Sequence, residues 1–268
     1  MLFSEISRKQ AFITHLSISA VIFFILAYLI IFDWYPSYYF EHDGGDRGLM
    51  TIFFVDIILG PGLTLLVFKQ GKKWLKFDMS MIILFQIVAL SWGIKSVYMA
   101  KPSLTVFYHG RFACLGQYDI TPEELKRLSQ DNAGGPVLAF LRRPDNIKEY
   151  YEFIGDAYKA ESSEIYFYND RFETISENAI ERIKSYELDV EEGIERSKQR
   201  VEYSRLRWEK YKKTNGVSED VGYYPLKCRY KTGMVMFDFS QGKIVDYIDV
   251  HTAPAISSIE IINNIAEE

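Results

Sequence analysis

The chain carries few of the residues on which chemistry is usually built. Its two cysteines, Cys114 and Cys228, are too few for a disulfide framework or a zinc site. Its four histidines, His15, His42, His109 and His251, are scattered without ligand spacing, and no HExxH, P-loop or nucleophile-elbow motif occurs. The acidic stretch EHDGGDRG at 41–48 offers oxygen ligands but lacks EF-hand spacing, and reads as a polar exterior loop. No catalytic residue, cofactor, metal or small-molecule substrate is therefore expected, and the chain does not read as an enzyme. A basic domain is missing as well. Residues 101–268 hold 23 Lys and Arg against 29 Asp and Glu, a net of −6, which excludes a nucleic-acid platform.

What the chain does have is long hydrophobic runs. Residues 49–68 and 79–99 form two apolar runs joined by a lysine-rich turn, each of about 20 residues and so long enough to cross a hydrocarbon core of about 30 Å. A buried soluble hairpin is the alternative, but it would show a polar face at helical spacing, which neither run has. Residues 12–32 form a third such run. A signal peptide competes for this one, yet the run exceeds the usual apolar region and is followed by bulky DWYPSYY in place of a small-residue cleavage site. Three transmembrane helices in a membrane domain, residues 1–100, are expected, followed by a polar domain, residues 101–268.

Flanking cations set the orientation. Arg8 and Lys9 precede the first run and Lys69, Lys72, Lys73 and Lys76 lie between the second and third, whereas the loop 33–48 has Arg47 against Asp33, Glu41, Asp43 and Asp46. The positive-inside rule places the N-terminus and the lysine turn in the cytoplasm and the C-terminal domain on the far side of the membrane. Trp34, Tyr35, Tyr38 and Tyr39 at one end and Trp74 at the other suit the aromatic belts of a lipid bilayer.

Polar groups within the apolar runs need partners. Asp56 and Lys95 lie at nearly matching depths, so they are candidates to pair across the hairpin. Alternatively, Lys95 snorkels outward while Asp56 meets water, a hydroxyl or an amine of a partner protein. Gln86 and Thr64 are placed to bond to each other or to His15. Gly60, Pro61 and Gly62 interrupt the second run, where the glycines permit close helix packing or a hinge.

After Pro102 the pattern changes to short alternating runs. Residues 104–108 and 111–117 read as a hairpin turned at His109 and Gly110. Thr121, Pro122 and Glu124 open a helix to about 130. A strand around 137–143 and helices at 146–160, 173–186 and 190–213 follow. The last of these is polar almost all round, a solvated helix or a docking surface. Three strand-like runs, 223–230, 233–240 and 243–250, close an α+β domain with an antiparallel sheet and inserted helices. Cys114 and Cys228 fall on strands of the early and late groups. A disulfide between them and a pair of buried free thiols are both open.

The run VDIILGPGLTLLVF, then GKKWLKFDMSMIILFQIVAL, then VYMAKPSLTVFYHGRF, resembles the signature of type IV pilin accessory proteins of the TfpX/TfpZ kind. Its elements fall on Asp56, Leu59 to Pro61, Lys72 to Asp78, Gln86 and Ala100 to Pro102, with YYPL at 223–226. The resemblance implies a bacterial inner-membrane protein, chaperone-like and non-enzymatic. Its implied partner is the major type IV pilin, bound by both membrane helix and head domain, and its role is to support pilin stability and fimbrium biogenesis. A membrane-anchored periplasmic ligand sensor, or a pilin-modifying membrane enzyme, is the alternative.

Overall fold

The computed structural model describes residues 6–129, 135–142, 148 and 171–254, and the chain divides into two compact units, Met1–Lys101 and Pro102–Glu268. The first unit has three helices long and apolar enough to cross a membrane: α1 (Arg8–Trp34), α2 (Gly45–Val67) and α3 (Leu75–Ala100). Ser7 caps α1 by accepting from the Gln10 backbone N–H, and the Gln10 side chain returns the bond to the Ser7 N–H. Two stretches widen into π-helical turns, Leu29–Trp34 at the end of α1 and Phe53–Leu59 within α2. The helices expose apolar side chains outward, as a lipid-facing bundle must.

The corner between α1 and α2 is not a polar loop. α1 runs on to Trp34, a helical turn follows at Tyr39–His42, and α2 already begins at Gly45, so His42 and Asp43 are buried. Tyr35 is not an outward-facing belt residue either. It is buried, and its hydroxyl donates to the Val97 carbonyl at 2.9 Å, tying this corner to α3.

The second unit is built on a seven-stranded sheet: β1 (Pro102–Tyr108), β2 (Arg111–Gly116), β3 (Val137–Leu141), β4 (Phe172–Thr174), β5 (Val221–Lys227), β6 (Thr232–Asp238) and β7 (Lys243–Ile248). Spatial order is β4-β3-β1-β2-β5-β6-β7. The expected α+β architecture is present, but the sheet is mixed, because β1 pairs β3 and β2 pairs β5 in parallel while the other junctions are antiparallel. Parallel neighbours need a long crossover, and the helices inserted between the strand groups supply it. His109 and Gly110 both take positive φ (48° and 73°), the geometry of a two-residue hairpin turn between β1 and β2.

Strand alternation assigns the two faces. Leu104, Val106, Ala113 and Leu115 point one way, under α4 (Pro122–Leu128). Phe107, Phe112, Tyr224 and Phe237 point the other way and form an aromatic cluster against Tyr186, with the Tyr224 hydroxyl donating to Ile183 O of α5 (Glu177–Lys184) at 2.8 Å. Burial of that hydroxyl pushes the Tyr224 pKa up.

Two helices depart from the sequence reading. Glu173 lies in β4, and α5 starts only after Ser176, whose hydroxyl accepts from the Ala179 N–H. The single polar helix read at 190–213 is two, α6 (Val190–Ser197) and α7 (Val201–Asn215), separated by left-handed Lys198 and Arg200. Charges that suit the dipole of one helix instead pair across a helical hairpin, Glu191 with Lys212 at 2.8 Å and Glu195 with Arg205. Trp208 turns inward onto Tyr223 and Met234, which leaves the hairpin no continuous apolar stripe to present. The helix read at 146–160 lies outside the described residues, apart from Lys148.

Cys114 and Cys228 form a disulfide, with Cα atoms 4.7 Å apart. The register explains it: parallel pairing of Phe112 with Leu226 and Ala113 with Lys227, continued by one residue, sets the two cysteines side by side. The bridge closes a separation of 114 residues. A thiol titration of the denatured, unreduced protein should find no free thiol. The Cys114→Ser/Cys228→Ser variant should lose about 4 kcal/mol of stability in the C-terminal unit, measured by denaturant unfolding.

Candidate functional site

The polar residues of the three apolar helices converge on one network. His15 of α1 stands between α2 and α3, with Nδ1 2.6 Å from Thr64 Oγ1 and Nε2 2.7 Å from Gln86 Oε1. The Gln86 amide in turn donates from Nε2 to Asp56 Oδ1 at 2.5 Å, and Ser19 Oγ donates to the same oxygen at 3.3 Å. Since Gln86 Oε1 can only accept, His15 donates to it from Nε2. The dipoles therefore run in one direction, from His15 through Gln86 to Asp56, and reinforce one another.

Depth and rotation follow from the sequence. His15 and Ser19 are four residues apart, so they share a face of α1. Asp56 sits within the π-helical turn Phe53–Leu59, which shifts its side chain relative to a regular helix, and only 1% of the residue is exposed. Gly60 lies one turn on, packed so tightly on the Gln86 amide that a Cβ at this position would collide with it. Pro61 is buried at the start of the regular helix that follows, whereas Gly62 meets nothing within 4 Å.

Among the sequence-derived candidates, the structure brings Asp56, Gln86 and Gly60 together and leaves Lys95 out. Asp56 does not pair with Lys95: its partners are Gln86 and Ser19, and Lys95 is exposed. The physical reason is length along α3. Nine residues separate Gln86 from Lys95, about 13 Å of helix, so the residue level with Asp56 is the glutamine. Ser19 is the member that sequence reading missed, and its spacing from His15 is the signal that was available.

One acceptor of this network is unused. Asp56 Oδ2 is buried and has no hydrogen-bond partner. The Asp56 residue borders an apolar cavity of about 490 Å³ floored by α2, with α1 contributing Ile18 and Ser19 and α3 contributing Ile83, Gln86 and Ile87, while Oδ2 itself is buried. α1 and α3 both pack on α2 and meet each other through His15 and Gln86, and residues of all three helices line the cavity. In an apolar surround an unsatisfied polar atom is costly, so Asp56 is the member of the network where a further donor would gain most.

Gly60→Ala should displace the Gln86 amide and lower the stability of the helical unit by about 1–3 kcal/mol, as over-packing does. Gly62→Ala, which meets open space, should leave it unchanged or raised. Thermal unfolding in detergent compares the two directly.

Comparison with known proteins locates relatives of the chain. It is 30% identical over 151 residues to the fimbrial assembly protein, serogroup I, of Dichelobacter nodosus, a match covering 54% of this chain and 59% of that protein. The serogroup E1 protein of the same organism gives the same identity and coverage. The fimbrial assembly protein of serogroups C1 and C2 is 32% identical over 113 residues, 41% of this chain and 86% of that protein. The match to the serogroup I and E1 proteins thus spans less than two thirds of their length. No family model and no solved structure matches the chain.

Proposed function

Because the chain belongs to the family of these fimbrial assembly proteins, we propose that it is a non-enzymatic inner-membrane accessory protein of the TfpX/TfpZ kind that supports type IV pilin stability and pilus assembly. A pilin awaiting assembly is a single apolar helix with a folded head. In this reading the groove between α1 and α3 receives the pilin's membrane helix, and the C-terminal unit, on the periplasmic side, covers the head.

The observation that carries the reading is Asp56, whose buried Oδ2 has no partner and whose side chain borders an apolar groove. Helix association in lipid has no hydrophobic driving force, so it relies on close packing and interhelical hydrogen bonds, and this groove offers both. Cations before α1 and between α2 and α3 favour a cytoplasmic N-terminus and thus a periplasmic C-terminal unit. The Cys114–Cys228 disulfide suits that oxidising compartment.

Photocrosslinking amino acids at Ile18 or Ile87, both exposed on the groove, should capture the pilin in pilus-producing cells, whereas the same probe at exposed Leu66, outside the groove, should not. Capture from Leu66 at equal yield, or no capture from either groove position, would overturn the proposal.

A further inference from the structure

The C-terminal unit contains a second cavity whose chemistry is opposite to that of the membrane groove. Its volume is about 270 Å³, and it forms where the start of β2, the end of β5, the start of β6, the α6–α7 turn and the segment after β7 meet. Three cations line it: Arg111, Arg196 and Lys227. Among the described residues no Asp or Glu does, although the domain carries a net −6 over residues 101–268. Arg196 reaches outward to Glu192 at 3.5 Å, while neither Arg111 nor Lys227 has an ion pair among the described residues.

Two residues of the lining each carry a buried polar atom without a protein partner, Arg111 Nε and Thr252 Oγ1. An unpaired guanidinium nitrogen is costly, so its acceptor is water or a ligand. The parallel register sets Arg111, whose guanidinium stands 5.7 Å from the Tyr108 ring centroid, beside the Pro225–Lys227 end of β5, which brings the two cations to one end of the sheet.

The opposite wall is held in place in advance. His251 donates its N–H to Ser204 Oγ at 3.0 Å, its carbonyl accepts from Ser197 Oγ at 3.1 Å, and its Nδ1 bonds Thr232 Oγ1 at 2.9 Å. Ala253 N–H donates to Gly193 O at 2.9 Å. The turn that presents Ser197 and Gln199 keeps two non-glycine residues, Lys198 and Arg200, in left-handed conformations (φ 54° and 48°), and strain of this kind gathers at ligand clamps. Burial pushes the His251 pKa down, and Asp249, at 3.8 Å, is the nearest carboxylate to the ring. The remaining lining, Leu226, Ala253 and Pro254 among it, is apolar.

We infer that this cavity binds a small carboxylate, with Arg111 and Lys227 holding the charge and the apolar wall taking a short hydrocarbon body. The guanidinium fork and a carboxylate are complementary in shape as well as in charge. Such a carboxylate has two sources, a free short-chain acid or an acidic side chain of a docked polypeptide. The cavity lies within the C-terminal unit, and the inference is independent of what occupies the membrane groove.

Equilibrium dialysis of the full-length chain in detergent, with labelled succinate and with labelled N-acetylglutamate methylamide at fixed ionic strength, tests it. At least one probe should be retained, and its glutamine counterpart should not compete. Arg111→Gln should weaken retention roughly tenfold, the loss of one charge-assisted contact. Lys227→Gln, at an exposed strand position, gives a second reading if Arg111→Gln fails to fold. Tighter binding of succinate marks a free acid, and tighter binding of the capped glutamate marks a polypeptide side chain. Retention of neither probe, equal retention by both variants, or displacement by inorganic phosphate ahead of either carboxylate would overturn the assignment.

Discussion

The helical unit depends on one constraint: a carboxylate buried among apolar helices must be given donors from other helices. Asp56 obtains them from Gln86 of α3 and Ser19 of α1, and Gln86 is itself oriented by His15 of α1. Each bond joins a different pair of helices, so the network fixes helix rotation as well as depth. Apolar packing alone would leave these uniform surfaces free to slide or turn, since lipid chains are as apolar as the residues they would replace. Gly60 belongs to the same arrangement, for only a residue without a side chain lets the Gln86 amide approach the backbone of α2.

The C-terminal unit meets a comparable problem by a different route. Its sheet is assembled from two strand groups that are distant in sequence and joined, among the described residues, through the parallel β2–β5 junction. Long-range parallel pairing gains little until its loop has closed. The disulfide lies at this junction, and beside it Phe107, Phe112, Tyr224 and Phe237 interlock across β1, β2, β5 and β6. Covalent and aromatic contacts are therefore concentrated where the topology is least local.

The three spans, the β1–β2 hairpin, the Thr121 cap and the closing meander are legible in the sequence because local rules govern them: run length, alternation, turn residues and capping hydroxyls. The polar members of the site are legible too, since a polar residue in an apolar run announces itself. Their partnerships are not. Counting depth along regular helices points Asp56 to Lys95, and the π-helical turn Phe53–Leu59 breaks the regularity on which the count relies. The break between α6 and α7 carries no glycine or proline, because Lys198 and Arg200 are held left-handed by the tertiary contacts of the turn. The register that joins Cys114 to Cys228 is equally invisible, as it is set by a crossover and not by neighbouring residues.

In the proposed reading, the groove's composition bears on how firmly the protein holds a pilin helix. Burying an apolar helix there exchanges lipid contacts for protein contacts at little net gain. The discriminating contact is then one donor placed on Asp56 Oδ2, and interhelical hydrogen bonds of this kind contribute about 1–2 kcal/mol at most. That is enough to favour one helix and one rotation over others, since an incorrect helix leaves the oxygen unpaired, yet too little to retain the helix against a polymer that binds it over a larger surface. In that reading one such contact combines selective capture with ready release, and a longer polar series along the same face would sacrifice the second property to the first.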